Sequence, residues 1–159
     1  MPVKVKTLKP PQGLSRFFFR LPIGLYRLGL GSLLGTRAVL LVHTGRKSGL
    51  ERKVVLEVVQ YDKKNGACVI AAGFGSDSDW FRNITKEPRI GFTVGSTYRK
   101  GTAVRLTEKE AGRELVRYAK EHPLSWKELT KFMGYQTDGT EKDTRAIGRI
   151  LPMFILKPD

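Results

Sequence analysis

Val54-Val55-Leu56-Glu57-Val58-Val59-Gln60-Tyr61, followed by Asp62-Lys63-Lys64-Asn65-Gly66 and then by Cys68-Val69-Ile70-Ala71-Ala72, is the stretch that decides the fold class. Two β-branched runs flank an Asn-Gly pair, which supplies the positive φ angles of a tight reversal, so the stretch reads as an antiparallel hairpin. The same pattern extends on both sides. Val39–Val42 precedes it, and Ile90–Val94 and Thr97–Leu106 follow, joined through Gly95-Ser96. A short helix starting at Asp79 or Trp80 and stopping before Pro88 interrupts the strands. Thr107-Glu108-Lys109-Glu110 has the form of a capping box and opens a helix to about Glu121, stopped by His122-Pro123. Ser125-Trp126-Lys127-Glu128 opens a further helix ended by Gly134, a third helical segment covers Glu141–Ile150, and Met153–Lys157 supplies a last strand. Strands in succession with short turns, and helices gathered before the last one, predict an α+β protein: a small barrel of mainly antiparallel strands with helices packed on it. A doubly wound sheet is disfavoured, because strands and helices do not alternate and no GxGxxG follows the first strand.

At 159 residues with 40% hydrophobic content, the chain suits one domain with a packed core. Its formal net charge of +14 favours an anionic partner. The charge is unevenly placed, for residues 1–50 hold nine Lys or Arg and the first carboxylate is Glu51. Residues 1–13, with three prolines among lysines, read as an extended arm, and residues 14–159 as a single domain. Within it, Leu14, Phe18, Leu21, Leu25 and Leu28 recur at helical steps, with Arg16, Arg20 and Arg27 on the opposite side, so 14–34 reads as a basic amphipathic helix interrupted at Pro22. Such a helix suits either a lid on the barrel or an anionic membrane surface. Arg20, Pro22, Gly24 and Arg27 break its apolar run too often for a membrane span, and no secretory cleavage pattern begins the chain, so the expectation is a cytoplasmic protein with peripheral contact at the inner face of the membrane. One cysteine, Cys68, and two histidines offer neither a disulfide framework nor metal-ligand spacing, so no metal is expected.

Chemistry concentrates in two places. His43-Thr44-Gly45-Arg46-Lys47-Ser48-Gly49 sets hydroxyls and adjacent cations in a glycine turn. Positive φ at Gly45 and Gly49 would converge backbone N–H groups on one anion, a phosphate or carboxylate, with Arg46, Lys47 and the hydroxyls of Thr44 and Ser48 as side-chain donors. An ordinary solvated β-turn has the same composition. Ala71-Ala72-Gly73-Phe74-Gly75-Ser76-Asp77-Ser78-Asp79-Trp80-Phe81-Arg82-Asn83 passes from small residues through a glycine loop into a helix start. It suits the approach of a flat ring, with free N–H groups at the helix end and Trp80 and Asn83 facing inward. The plainer reading makes Trp80 core, Asn83 a helix-end residue, and Asp77 and Asp79 caps. No Ser/His/Asp or Cys/His set presents itself, so no catalytic side chain is assigned and a bound cofactor is expected to carry the chemistry.

Taken in order, Thr44-Gly45-Arg46-Lys47-Ser48-Gly49, Arg52, Gly73-x-Gly75, Asp79-Trp80-Phe81-Arg82-Asn83-Ile84, Pro88 and Leu151-Pro152 resemble the deazaflavin-dependent nitroreductase family over residues 17–158. That resemblance implies a split β-barrel of the FMN-binding type and the deazaflavin cofactor F420, its phosphate and polyglutamate tail in a cationic groove. It also implies hydride transfer from the reduced ring to a quinone, nitro compound or similar small-molecule acceptor. Carried over by residue, Arg46, Lys47 and Ser48, with Thr44 and Gly49 in the same turn, match the phosphate site. Arg52 and Lys53 match the cationic wall, Gly73, Phe74 and Gly75 the loop beside the ring, and Trp80 and Asn83 the adjoining helix. Members often bear tyrosines shortly before the last strand. This chain has Asp143-Thr144-Arg145-Ala146 there, which leaves Tyr135 as the substrate-side candidate.

FMN on the same fold is the near alternative, although a long acidic tail gives Arg52 and Lys53 a purpose that FMN does not. A basic nucleic-acid module would also explain the charge, but no reading helix or aromatic ladder accompanies it, so nucleic acid is not expected. A membrane-surface protein without catalysis rests on residues 1–34 alone. Monomer and homodimer are equally compatible with the sequence.

Overall fold

The computed structural model describes residues 3–4, 35–72 and 77–159. The proposed helix 14–34, most of the arm 1–13, and the loop residues Gly73, Phe74 and Gly75 lie outside the described residues. From the arm, Val3–Lys4 forms strand β1. A 3-10 turn at Gly35–Arg37 leads into β2 (Ala38–Thr44), β3 (Glu51–Tyr61), β4 (Cys68–Ala71), α1 (Asp79–Lys86), β5 (Arg89–Val94) and β6 (Thr97–Arg105). Helices α2 (Glu108–Glu121) and α3 (Pro123–Met133), the short strand β7 (Tyr135–Gln136), α4 (Glu141–Ile150) and β8 (Met153–Pro158) follow.

Six strands close a barrel in the order β2-β3-β4-β8-β6-β5, and every pairing is antiparallel. Strand β1 pairs outside it with β7. Alternation sorts the side chains. Val39 and Leu41, Cys68 and Ile70, Ile90 and Phe92, and Phe154 and Leu156 point into one cluster, which α1 closes with Trp80, Phe81 and Ile84. Residues one step out of phase, Val59, Val69 and Met153, face a second cluster made with Leu115 and Tyr118 of α2, Trp126 of α3 and Ile147 of α4. Strands β3, β4 and β8 are thus covered on both faces, which is why they read as near-continuous apolar runs.

Local grammar accounts for the element ends. Asn65 Oδ1 accepts from the Ala67 N–H at 2.8 Å in the β3–β4 reversal. The capping box of α2 closes both ways: Glu110 N–H donates to Thr107 Oγ1 at 3.2 Å, and Thr107 N–H to Glu110 Oε2 at 2.8 Å. Helix α3 begins at Pro123, two residues before the expected start, since proline at a first helical position loses no hydrogen bond. Among the described residues no helix is long and apolar enough to cross a membrane.

Candidate functional site

Strand β2 carries His43 and Thr44 into the reversal that returns as β3, with His43 opposite Arg52 and Thr44 opposite Glu51. Gly45 N–H donates to the Leu50 carbonyl at 2.8 Å, and Gly49 N–H to the Gly45 carbonyl at 2.8 Å. Ser48 Oγ accepts from Leu50 N–H at 3.2 Å. Gly49 has the positive φ that was expected, +71°, but Gly45 does not. A Cβ at 45 would stand 2.7 Å from Ser48 Oγ, so any larger residue there would turn that hydroxyl away from its place in the reversal.

Helix α1 fastens this turn from the side. Asn83, 4% exposed, accepts through Oδ1 from the backbone N–H of Arg46 at 3.1 Å and from its Nη1 at 2.9 Å. Asp79 Oδ1 lies 3.3 Å from Nη1 and from Nη2 of the same guanidinium, and Lys86 Nζ donates to the Arg46 carbonyl at 3.2 Å. The other side of the Asn83 amide meets His43, with Nδ2 and Nδ1 3.1 Å apart. Burial first, and then the Arg52 guanidinium, lower the His43 pKa to about 4, against the opposite pull of Asp79.

Side-chain roles therefore divide. Arg46 is committed to Asn83 and Asp79 and is only 20% exposed. Lys47 and Arg52 are exposed, and among the described residues neither has a carboxylate partner. Lys53 Nζ lies 3.9 Å from Glu51 Oε1, a loose surface pair. Asp77 and Asp79 do not cap α1; their carboxylates pair with Arg82 at 3.2 Å and with Arg46, and the cap position is held by Ser78. Ser78 Oγ is buried without a hydrogen-bond partner among the described residues. Trp80 belongs to the barrel cluster, edge-on to Phe81 at 6.1 Å.

Thr44, Arg46, Lys47, Ser48, Gly49, Arg52 and Lys53 thus lie at the end where β2 returns as β3, and Asn83 of α1 joins them through Arg46, while Trp80 of the same helix packs in the barrel cluster. Tyr135 lies elsewhere. It packs on the outer cluster and lines a cavity of about 610 Å3 among α2, α3 and α4, together with Trp126 and Thr130. His43 and Lys86 were missed by the sequence reading. For His43 a signal existed: it continues the inward alternation of Val39 and Leu41, where a polar side chain demands a buried partner.

A family model described as F420H(2)-dependent quinone reductase matches residues 27–141. Among solved structures, an F420-H2 dependent reductase (FDR-A) is 26% identical with a TM-score of 0.54, the match covering 78% of this chain and 96% of that one. A chain described as a domain-swapped dimer is 22% identical at a TM-score of 0.56, over 91% of this chain and all, 100%, of that one. Protein Atu2129 of Agrobacterium tumefaciens, of unknown function, is 15% identical at a TM-score of 0.55, over 96% of this chain and 58% of that one. The latter two show likeness of fold alone. No curated protein matches the chain.

Proposed function

Because the chain belongs to the F420H(2)-dependent quinone reductase family, we propose that the reversal 44–49 with Arg52 and Lys53 holds the anionic part of F420, and that Trp80 and Asn83 border its ring. The protein is an F420-dependent oxidoreductase, and family membership selects F420 over FMN. When bound, the reduced deazaflavin supplies a hydride to an activated acceptor, here proposed to be a quinone.

One observation carries the assignment. Buried Asn83 grips both the backbone and the guanidinium of Arg46, so the turn is held in shape while Lys47 and Arg52 stay unpaired among the described residues. Neither the Lys47 nor the Ser48 backbone N–H has an acceptor among the described residues, so donors and cations fit an oxyanion together. Ser78, a buried hydroxyl at the start of α1 without a partner among the described residues, is a further donor for a bound group.

The chain's own part is binding and orientation. Cys68 is fully buried and its thiol is pushed up to about 12 by burial, so it stays protonated and unreactive at neutral pH. An apolar acceptor partitions into membranes, and the arginines 16, 20 and 27 suit an anionic surface. Reversing those three charges should abolish co-sedimentation with anionic liposomes; unchanged sedimentation would remove membrane contact from the proposal.

The deciding experiment is a titration of F420 fluorescence with the purified chain, followed by absorbance of reduced F420 mixed with protein and a soluble quinone. Saturable binding and quinone-dependent oxidation are expected. Binding without oxidation would discard the quinone, and no binding would discard the site.

A further inference from the structure

We propose that His43 is a positioning residue for the anion-binding turn: a neutral imidazole with its proton on Nε2, it fixes the Asn83 amide in the one orientation that presents Oδ1 to Arg46. The inference rests on the reading of the turn as the cofactor's anion site. The order of donors and acceptors carries it. Arg46 faces Asn83 with two groups, its backbone N–H at 3.1 Å and Nη1 at 2.9 Å, and both can only donate. The Asn83 atom between them is therefore the carbonyl oxygen. That leaves Nδ2, also donor-only, 3.1 Å from His43 Nδ1, which must then offer its lone pair. With Nδ1 accepting, the proton of a neutral ring is on Nε2.

The chain of contacts has a direction. His43 sits on β2 at 5% exposure and Asn83 on α1 at 4%, so neither can exchange its partner for water. Were Nδ1 to carry a proton, two N–H groups would face each other at this distance and the amide would rotate, turning Nδ2 toward Arg46. The charged groups around the ring, Arg52 on β3, Arg46 in the turn and Asp79 on α1, include two cations and one carboxylate, and that carboxylate already serves Arg46. Neutral His43 is thus the element that keeps an adaptable amide from flipping, and the turn inherits its shape from a residue that touches no ligand.

Four variants of the full chain test this by F420 fluorescence titration and thermal melting: His43→Leu, His43→Asn, Asn83→Leu, and His43→Leu with Asn83→Leu. Leucine removes the acceptor and should weaken binding about tenfold, the scale of a buried polar contact broken on one side. Asparagine, which restores an acceptor oxygen at the place of Nδ1, should stay within about threefold of the parent. In the Asn83→Leu background, His43→Leu should cost less than about twofold, because the amide that His43 orients is gone. An equal loss in both backgrounds would overturn the proposal, whatever the melting temperatures. Long-range 15N–1H spectra of the ligand-free protein read the tautomer directly, with Nε2 protonated and Nδ1 bare from pH 8 to 5. A protonated Nδ1 would refute the role of His43 even if F420 binds. Failure of the parent chain to bind F420, with the expected tautomer present, would instead refute the assignment of the turn.

Discussion

Two buried polar residues tie helices to the barrel, and they do different work. Asn83 joins α1 to β2 through His43 and to the turn through Arg46, and the connection ends among exposed cations. Tyr118 joins α2 to β3 through Glu57, and the connection continues to Arg37, 3.9 Å from Glu57, and on to Ser125 of α3 at 2.9 Å. Burial and the hydrogen bond to Glu57 raise the Tyr118 pKa, so its hydroxyl remains a donor. Every cation in this second chain is matched by a carboxylate or hydroxyl. What separates a site from a brace is therefore not the buried polar group but the balance of charge at its far end.

Removing Lys47 and Arg52 together by alanine should weaken F420 binding by about 3 kcal/mol, the scale of two charge-assisted contacts. The fluorescence titration should show this with little change in melting temperature, and unchanged affinity would erase the contrast between the two chains. Acid should act on the same end. The unfolded chain takes up a proton at His43 near pH 6.5, whereas the folded one resists to about 4, so native stability is unaffected above pH 7 and falls as pH drops through that window. The loss reaches about 3 kcal/mol in denaturant titrations, and His43→Gln should remove that part of the slope.

Tyr118→Phe probes the brace. It should cost about 2 kcal/mol, lowering the melting temperature by about 5 °C while leaving F420 affinity alone. A fall in affinity would mean that the outer helices shape the site after all. The smallest effect has the opposite sign. Asp79 competes for Arg46 from an exposed position, 77% accessible, so Asp79→Asn should tighten binding of an anion by about threefold at low salt. Weaker binding in that variant would make Asp79 a necessary support.

The sequence made legible whatever depends on neighbours in the chain. The Asn65-Gly66 reversal, the reciprocal cap between Thr107 and Glu110, and the alternation in β4 and β8 are contacts or periods within a few residues. The cationic turn was readable for the same reason, as was the start of α1 beside it. What stayed hidden spans distance: His43 and Asn83 are 40 positions apart, Tyr118 and Glu57 61 apart, and nothing local in either residue names its partner. Gly45 shows a third limit, because a glycine in a turn suggests left-handed backbone, and only the folded chain shows that Gly49 adopts it and Gly45 does not. Tyr135, the substrate-side candidate that the family resemblance left, shows a fourth: nothing local says that β7 pairs with β1 and packs on the outer cluster, away from the turn.

The position of β8 bears on how the molecule comes into being. It lies between β4 and β6, and through it the barrel closes. On the ribosome, therefore, β2 to β6 can emerge and pair with their neighbours while β4 and β6 still present open edges. Pairing of strands far apart in sequence is slow, and unpaired edges invite other chains. Until Met153–Pro158 leaves the exit tunnel the nascent protein is a curved open sheet, so synthesis through the three helices is the interval in which it needs protection from its neighbours.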